Sequence, residues 1–176
     1  MRQDALQKAT SRKEADAVDA IVEQWRRERP ELDPSAKEVT GRIIRLAGLF
    51  QQAYTSAFEP LGVNEGDYGV LAALRRAGEP YTLTPTELAR HRMMTSGGMT
   101  AAIDRLERKG FVGRSPNPND RRGSLVGLTP AGLDVIDHAM EVHVAVEHEL
   151  VAALDVKDRD RLVALLRTLL LAVDTR

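Results

Sequence analysis

Residues 84–98, TPTELARHRMMTSGG, combine a helix start and a helix interruption in one short stretch. Thr84 suits the N-cap, Pro85 suits the first helical position, and Glu87 completes a capping box. Gly97 and Gly98 would each lower the stability of a helix by about 1 kcal/mol in its interior, but by less at its first turn. The pattern therefore predicts a short helix, a tight turn and a second helix that ends at Gly110.

A β-hairpin is predicted directly after this second helix. The apolar stretches GFVGR (110–114) and SLVGLT (124–129) flank the segment NPNDRRGS (117–124), in which proline and glycine mark a turn. Helix-turn-helix corners are common, and alone they are weak evidence for DNA binding. A hairpin that follows such a corner makes a winged helix, and this order favours DNA binding.

Long amphipathic helices are predicted on both sides of this segment. Apolar residues three and four apart define them. The predicted helices span residues 12–29, 35–58, 64–78, 130–154 and 157–174. The expected fold class is therefore mainly α with a small β-hairpin wing, an α+β arrangement.

Charge is distributed unevenly along a chain that is nearly neutral in total. The 176 residues include 25 Lys and Arg and 26 Asp and Glu, which is an unusually acidic balance for a small nucleic-acid binder. Between Pro85 and Thr129, however, eight basic and four acidic side chains give a net charge of +4. Such asymmetry indicates partners rather than fold, so the distribution favours nucleic-acid binding where the total does not.

Composition argues against several other classes of protein. The chain has no cysteine, which excludes disulfides, zinc–thiolate sites and thiol catalysis. No apolar run reaches the roughly 18 residues of a membrane span, and the N-terminus lacks an apolar signal core, so a cytoplasmic protein without a membrane partner is expected. Common enzyme motifs are missing, so neither catalysis nor a cofactor or metal is expected. His138, His143 and His148, five residues apart, are interpreted as part of a solvated helix face.

Residues 82–134 resemble the DNA-binding lobe of MarR-type regulators. The phrases LERKGFV, DRR and LTPAG occur in the family's order without gaps, and IVEQWRRERPELD and SGGMT resemble the urate-responsive, PecS-like branch, which has an extra first helix. The resemblance implies a homodimeric winged helix-turn-helix transcription factor, usually a repressor relieved by a small ligand, that binds a pseudo-palindrome in double-stranded DNA. It implies a DNA-binding lobe at 61–130 and a helical dimerisation lobe from 12–60 and 131–174.

The expected DNA contacts lie around the second helix and at the hairpin tip. Contacts at the helix start are expected from Thr95, Ser96, Met99, Thr100 and Ala101. Phosphate contacts are expected from Arg90, Arg92 and Arg105. By resemblance to the family, Arg122 enters the minor groove, Asp120 holds it, and Arg121 meets phosphate. The alternatives are a solvated basic surface, ordinary packing for Met99 and a floppy charged tip.

The effector site of the urate-responsive branch is only partly kept. By resemblance, its four residues correspond to Trp25, Gly69, Ala102 and Arg114. The tryptophan and one arginine are present, whereas the aspartate and the other arginine are replaced, so urate is not the expected ligand. A pocket near Trp25, Tyr54, Tyr68 and Arg114 is expected to take a small aromatic or amphipathic acid. Trp25 is alternatively a core residue, and a helical interaction module without DNA binding is the alternative function.

Overall fold

The computed structural model describes residues 15–90, 96–118 and 120–174. The helices are α1 (Ala17–Glu28), α2 (Lys37–Phe58), α3 (Glu65–Arg76), α4 (Pro85–Arg90), α5 (Ser96–Arg108), α6 (Pro130–Leu150) and α7 (Val156–Asp174). The strands are β1 (Thr82–Leu83), β2 (Val112–Asn117) and β3 (Asp120–Leu128). Helices predominate and the strands form one small sheet, which confirms the predicted fold class.

The chain divides into two compact units, one ending at Phe50 and the other beginning at Gln51. Helix α2 runs through this division. The dimerisation lobe (12–60 and 131–174) and the DNA-binding lobe (61–130) stay a prediction, since they concern the assembly of two chains.

The two carboxylates of the capping box that starts α1 also pair with an arginine of α2 in the N-terminal unit. Asp16 Oδ1 accepts the backbone N–H groups of Val18 and Asp19 at 2.7 and 3.1 Å, which starts α1. The Arg42 guanidinium on α2 donates to the carboxylates of Asp16 and Asp19 at 2.8 and 2.7 Å. A Cβ on Gly41 would lie 3.0 Å from Val18 Cγ1, so a small residue at this position permits the close approach of the two helices.

The core of the second unit forms where α3, α5, the sheet and α6 meet. Its fully buried side chains include Phe58, Val70, Leu71, Leu74, Leu88, Leu106, Val126 and Ile136. Burial of each large apolar side chain contributes about 1.5–3 kcal/mol. This core therefore fixes the inner face of α5 against α3.

Three antiparallel strands form the sheet in the order β1–β3–β2. Strands β2 and β3 make the predicted hairpin, with Val112 opposite Leu128. Strand β1 was not predicted, because its two residues carry no alternating pattern. It pairs with β3 at Gly127, where a Cβ would lie 2.8 Å from Thr82 Cγ2, so glycine permits this close pairing.

Helices α6 and α7 complete the chain. Thr129 caps α6, since its Oγ1 accepts the N–H of Gly132 at 3.0 Å, and α6 ends at Leu150, earlier than the predicted 154. No described residue of α7 is buried. Apolar side chains along α7 that are 41–60% exposed include Leu162, Leu165, Leu166, Leu169, Leu170 and Val173. None of the described helices is long and apolar enough to cross a membrane.

Candidate nucleic-acid interface

Helices α4 and α5 form the predicted helix-turn-helix pair. The Thr84 N–H donates to Glu87 Oε2 at 2.8 Å, and the Glu87 N–H donates to Thr84 Oγ1 at 3.2 Å. This reciprocal capping box starts α4 as predicted. Helix α5 begins at Ser96 and is followed by Gly110, whose φ of +74° lies in the left-handed region that favours glycine after a helix.

The first turns of α5 have one exposed and one buried face. Thr100 and Ala101 are exposed, which leaves them at the surface where the predicted interface requires them. Met99 is only 2% exposed and belongs to the hydrophobic core. The predicted DNA contact by Met99 is therefore corrected, because its side chain packs inward and the packing alternative holds.

Several predicted DNA contacts lie wholly or partly outside the described residues. Arg92 and Thr95 lie outside them altogether. Only the backbone is described for Arg90, Ser96, Arg121 and Arg122. For these six residues, DNA contact stays a prediction.

The hairpin tip places Asp120 across the turn. Asn117 on β2 pairs with Asp120 on β3, after an irregularity in register between Pro116 and Asn117. A Cβ on Gly123 would lie 3.0 Å from Asp120 Oδ2. The Asp120 carboxylate therefore lies beside the backbone of Gly123, within the tip rather than away from it.

A buried carboxylate ties α5 to α3. Asp67 is 0% exposed, and its Oδ1 accepts Nε and Nη2 of Arg105 at 2.8 and 2.6 Å. Its Oδ2 accepts Lys109 Nζ at 2.9 Å, and the same ammonium donates to the Gly62 carbonyl at 2.7 Å. Arg105 was predicted to meet DNA phosphate, but its guanidinium is engaged by Asp67, because a buried carboxylate requires cationic partners.

The two cations favour the charged form of this buried carboxylate more than burial disfavours it. Burial raises the pKa of Asp67, whereas hydrogen bonds and charge from Arg105 and Lys109 lower it, and the net pKa lies below the ordinary value of 3.8. In sequence, Asp67 is visible only as the capping-box partner of Asn64, whose Oδ1 accepts the Asp67 N–H at 2.8 Å. The cationic partners lie 38 and 42 residues further along the chain, beyond any local pattern.

Arg114 joins the wing to α5 through two acidic side chains. Its Nη2 contacts the Asp104 carboxylate, and its Nε lies 3.5 Å from Glu107 Oε2. All three side chains are partly exposed, so each pair contributes little to stability on its own. The sequence predicted Arg114 in an effector pocket, whereas the structure directs its guanidinium to the acidic side chains of α5.

Tyr54 and Tyr68, two of the predicted pocket residues, are brought together by His143 of α6. The imidazole stacks on both tyrosine rings, with centroid distances of 4.7 and 4.8 Å, and Phe58 stacks on Tyr68 at 4.6 Å. The His143 side chain is therefore only 18% exposed, and its assignment to a solvated face is corrected. Trp25 lies on α1 of the N-terminal unit and is 47% exposed.

Comparisons with known proteins match the winged helix and most of the chain. The model of the MarR family matches residues 61–123, from the segment before α3 to the hairpin tip. The HTH-type transcriptional regulator PecS of Dickeya dadantii (strain 3937) is 34% identical over 149 residues, which cover 85% of this chain and 90% of that protein. The multiple antibiotic resistance protein MarR of Salmonella typhimurium is 41% identical over 98 residues, which cover 55% of this chain and 66% of that protein.

Solved structures with bound DNA share this fold. A MarR mutant from Escherichia coli complexed with operator DNA is 30% identical, with a TM-score of 0.68 over 79% of this chain and 99% of that chain. A MarR family transcriptional regulator from Streptomyces coelicolor, in complex with DNA, is 26% identical, with a TM-score of 0.72 over 81% of this chain and 93% of that chain. With its helix-turn-helix pair, its hairpin wing and these relatives, the chain belongs to the MarR family of winged helix-turn-helix, DNA-binding transcriptional regulators.

Proposed function

We propose that the chain is a homodimeric repressor whose affinity for a pseudo-palindromic operator is controlled by a small ligand. The observation that carries this proposal is that Thr100 and Ala101 of α5 are exposed beside an antiparallel wing, in a fold shared with a relative bound to operator DNA. Two such lobes related by a two-fold axis would read two half-sites. A cytoplasmic location, where a regulator meets its operator, is part of the proposal.

In this proposal the start of α5 lies in the major groove. Thr95, Ser96 and Thr100 offer hydroxyls to bases or phosphates, and Ala101 offers a methyl group to thymine. The wing tip lies in the minor groove, where Arg122 inserts and Asp120 orients it. Support for the wing comes from the DRR phrase in the hairpin tip and from the hairpin itself.

Three cations of this segment already face carboxylates. Arg105 and Lys109 face Asp67, and Arg114 faces Asp104 and Glu107, so these three are not counted as phosphate contacts. The phosphate contacts in this proposal therefore come from Arg90, Arg92 and Arg121.

The proposal is tested by fluorescence anisotropy with a labelled duplex from the region upstream of the chain's own gene. Affinity is expected to fall as salt rises, since phosphate contacts release counterions. Arg122→Ala is expected to weaken binding about tenfold, as for the loss of one groove-reading arginine. Arg27→Ala removes an exposed arginine that pairs with Glu28 in the N-terminal unit, and we expect it to leave the affinity unchanged.

The alternative function is an interaction module that has lost DNA binding. If no upstream duplex shows salt-dependent binding to the wild-type chain, the regulator proposal fails and this alternative is favoured. Equal losses of duplex affinity for Arg122→Ala and Arg27→Ala would indicate that binding depends on overall charge rather than on a specific contact of the wing. That outcome also contradicts the proposal.

A further inference from the structure

Two acidic side chains lie on the exposed face of α5 that also carries Thr100. Asp104 and Glu107 follow Thr100 by four and seven residues, and all three residues are exposed. Residues at this spacing share one face of a helix. In the proposed complex this face approaches DNA, whose backbone is itself negative. Through charge alone, the two carboxylates would therefore weaken DNA binding.

Both carboxylates pair with a single arginine of the wing. Arg114 on β2 donates through Nη2 to Asp104 Oδ1, and its Nε lies 3.5 Å from Glu107 Oε2. One guanidinium thus bridges two carboxylates that lie about one turn apart on α5. Because the guanidinium presents its N–H donors in fixed directions, it restrains orientation as well as distance. We call Asp104, Glu107 and Arg114 the clamp between α5 and the wing.

Burial fixes the wing only at its base. Val112 on β2 and Val126 on β3 are 2% and 0% exposed, whereas β2 is exposed from Gly113 to Pro116. Arg114 lies opposite Val126 and two residues beyond Val112, so its side chain is on the same face of the sheet as these valines. The clamp therefore continues the attachment of the wing to α5 from the point where burial ends.

The position of the clamp gives it leverage over the hairpin tip. Asn117, the last residue of β2, lies three residues beyond Arg114, which corresponds to about 10 Å along a strand. A tilt of the wing by about 10° at the clamp would move the tip by about 2 Å over this length. Hydrogen bonds form only between about 2.7 and 3.2 Å. A small change at the clamp is therefore enough to break a contact made at the tip.

We infer that Asp104 and Glu107 are positioning residues for operator recognition, acting through Arg114. They fix the orientation of the wing relative to α5, so that the minor-groove contact of Arg122 stays in register with the major-groove contacts of α5. This inference rests on the proposed function and adds to it two acidic residues that favour specific binding without touching DNA. Because all three clamp side chains are partly exposed, their pairs contribute little to stability, and their loss changes recognition rather than folding.

The inference is tested by fluorescence anisotropy of the full-length chain with two labelled duplexes, the upstream duplex and one of the same length with a scrambled sequence. Asp104→Ala is expected to weaken binding to the upstream duplex about fivefold, a coupling typical of residues that share a partner. Its affinity for the scrambled duplex is expected to stay the same or to rise, since a negative charge is removed. Glu107→Ala is expected to show a smaller loss for the upstream duplex, because its contact with Arg114 is longer.

The matched control is Asp158→Ala, which removes an exposed carboxylate of α7 that is not part of the clamp. We expect it to leave the ratio of the two duplex affinities unchanged. Thermal unfolding of Asp104→Ala is expected to match wild type, which separates positioning from a loss of stability.

A double variant tests whether the clamp acts through the wing. In a chain that already carries Arg122→Ala, Asp104→Ala is expected to cause no further loss of affinity for the upstream duplex, because the contact that the clamp positions is gone. Losses that multiply in the double variant would overturn the inference, since Asp104 would then act independently of the wing.

Two further outcomes are decisive. If Asp104→Ala binds the upstream duplex as tightly as wild type or more tightly, the carboxylate acts only through its charge and the inference is overturned, while the proposed regulator stands. If Arg122→Ala binds as wild type does, or wild type binds neither duplex, the proposed function fails together with the inference.

Discussion

Asp67 is a fully buried carboxylate held between α3 and α5 by two cations. Arg105 and Lys109 approach it within 2.9 Å, and both are partly exposed. Removal of the negative charge would leave the two cations close together without a counter-charge. An unbalanced cluster of this kind is more costly than a lost surface ion pair.

We predict that Asp67→Asn lowers the free energy of unfolding at pH 7 by about 2–3 kcal/mol, because hydrogen bonds to a charged group are lost. The measurement is urea unfolding followed by circular dichroism. The matched control is Asp137→Asn, which breaks the ion pair between Asp137 and Arg75 at 2.7 Å on the surface. Its expected cost is below about 1 kcal/mol, since exposed pairs contribute little. Equal losses in the two variants would contradict the role given to burial.

The pH dependence of this effect has a defined sign. The pKa of Asp67 is lower in the folded chain than its ordinary value of 3.8, so its contribution is fully present above that value and is lost as pH falls through the folded pKa. The difference in unfolding free energy between wild type and Asp67→Asn should therefore be constant between about pH 5 and 7 and narrow below about pH 4. A difference that does not narrow in acid would show that charge on Asp67 is not its cause.

At the scale of elements, the start of α6 is packed directly against the segment that precedes β2. A Cβ on Gly132 would lie 1.8 Å from the Phe111 carbonyl oxygen, and this oxygen also accepts the Thr129 N–H at 3.1 Å. The obstacle is backbone rather than a flexible side chain. The helix and the wing could therefore accommodate a methyl group only by moving apart.

We predict that Gly132→Ala lowers the free energy of unfolding by about 2 kcal/mol or more, because overpacking forces a backbone shift. Gly113→Ala is the control in β2 of the same hairpin, where a Cβ would meet no atom within 4 Å. Its expected effect is within about 0.5 kcal/mol. Thermal unfolding of both variants is the measurement, and a Gly132→Ala variant as stable as Gly113→Ala would contradict this packing argument.

The elements were predictable where the signal was local. Thr84 with Glu87 and Thr129 with Pro130 mark the starts of α4 and α6, and the structure has both helices there. The face of α5 was less accessible to prediction, because the start of a helix does not reveal which side packs inward. Met99 was therefore assigned to DNA although it is buried.

The candidate site was least predictable where its contacts span the sequence. Arg105 and Arg114 are surface cations in any local pattern, and only the fold brings Asp67 to the first and Asp104 to the second. His143 likewise lies in a polar stretch, but the tyrosine rings that cover it come from α2 and α3. In each case the missing information is a tertiary contact, which a single sequence does not contain.

At the scale of the whole molecule, the exposed apolar surface of α7 supports the proposed homodimer. Leu165 and Leu169 are 60% and 41% exposed, and adjacent exposed apolar side chains of this kind mark interaction surfaces. We predict that the double variant Leu165→Lys and Leu169→Lys dissociates the proposed homodimer. Sedimentation velocity should then give the mass of one 19.4 kDa chain in place of two. Affinity for the upstream duplex should fall as well, since one lobe reads only one half-site.

Asp160→Lys provides a control for this prediction with the same total change in charge. At 100° per residue, Asp160 lies about 140° from Leu165 and about 180° from Leu169 around α7, so it is on the other side of the helix. We expect this variant to sediment as wild type does and to keep its duplex affinity, because the apolar face is intact. Dissociation by Asp160→Lys would assign the effect to charge rather than to the apolar face. A double lysine variant that stays dimeric would place the interface elsewhere on the chain, whereas a monomeric wild type would contradict the homodimer itself.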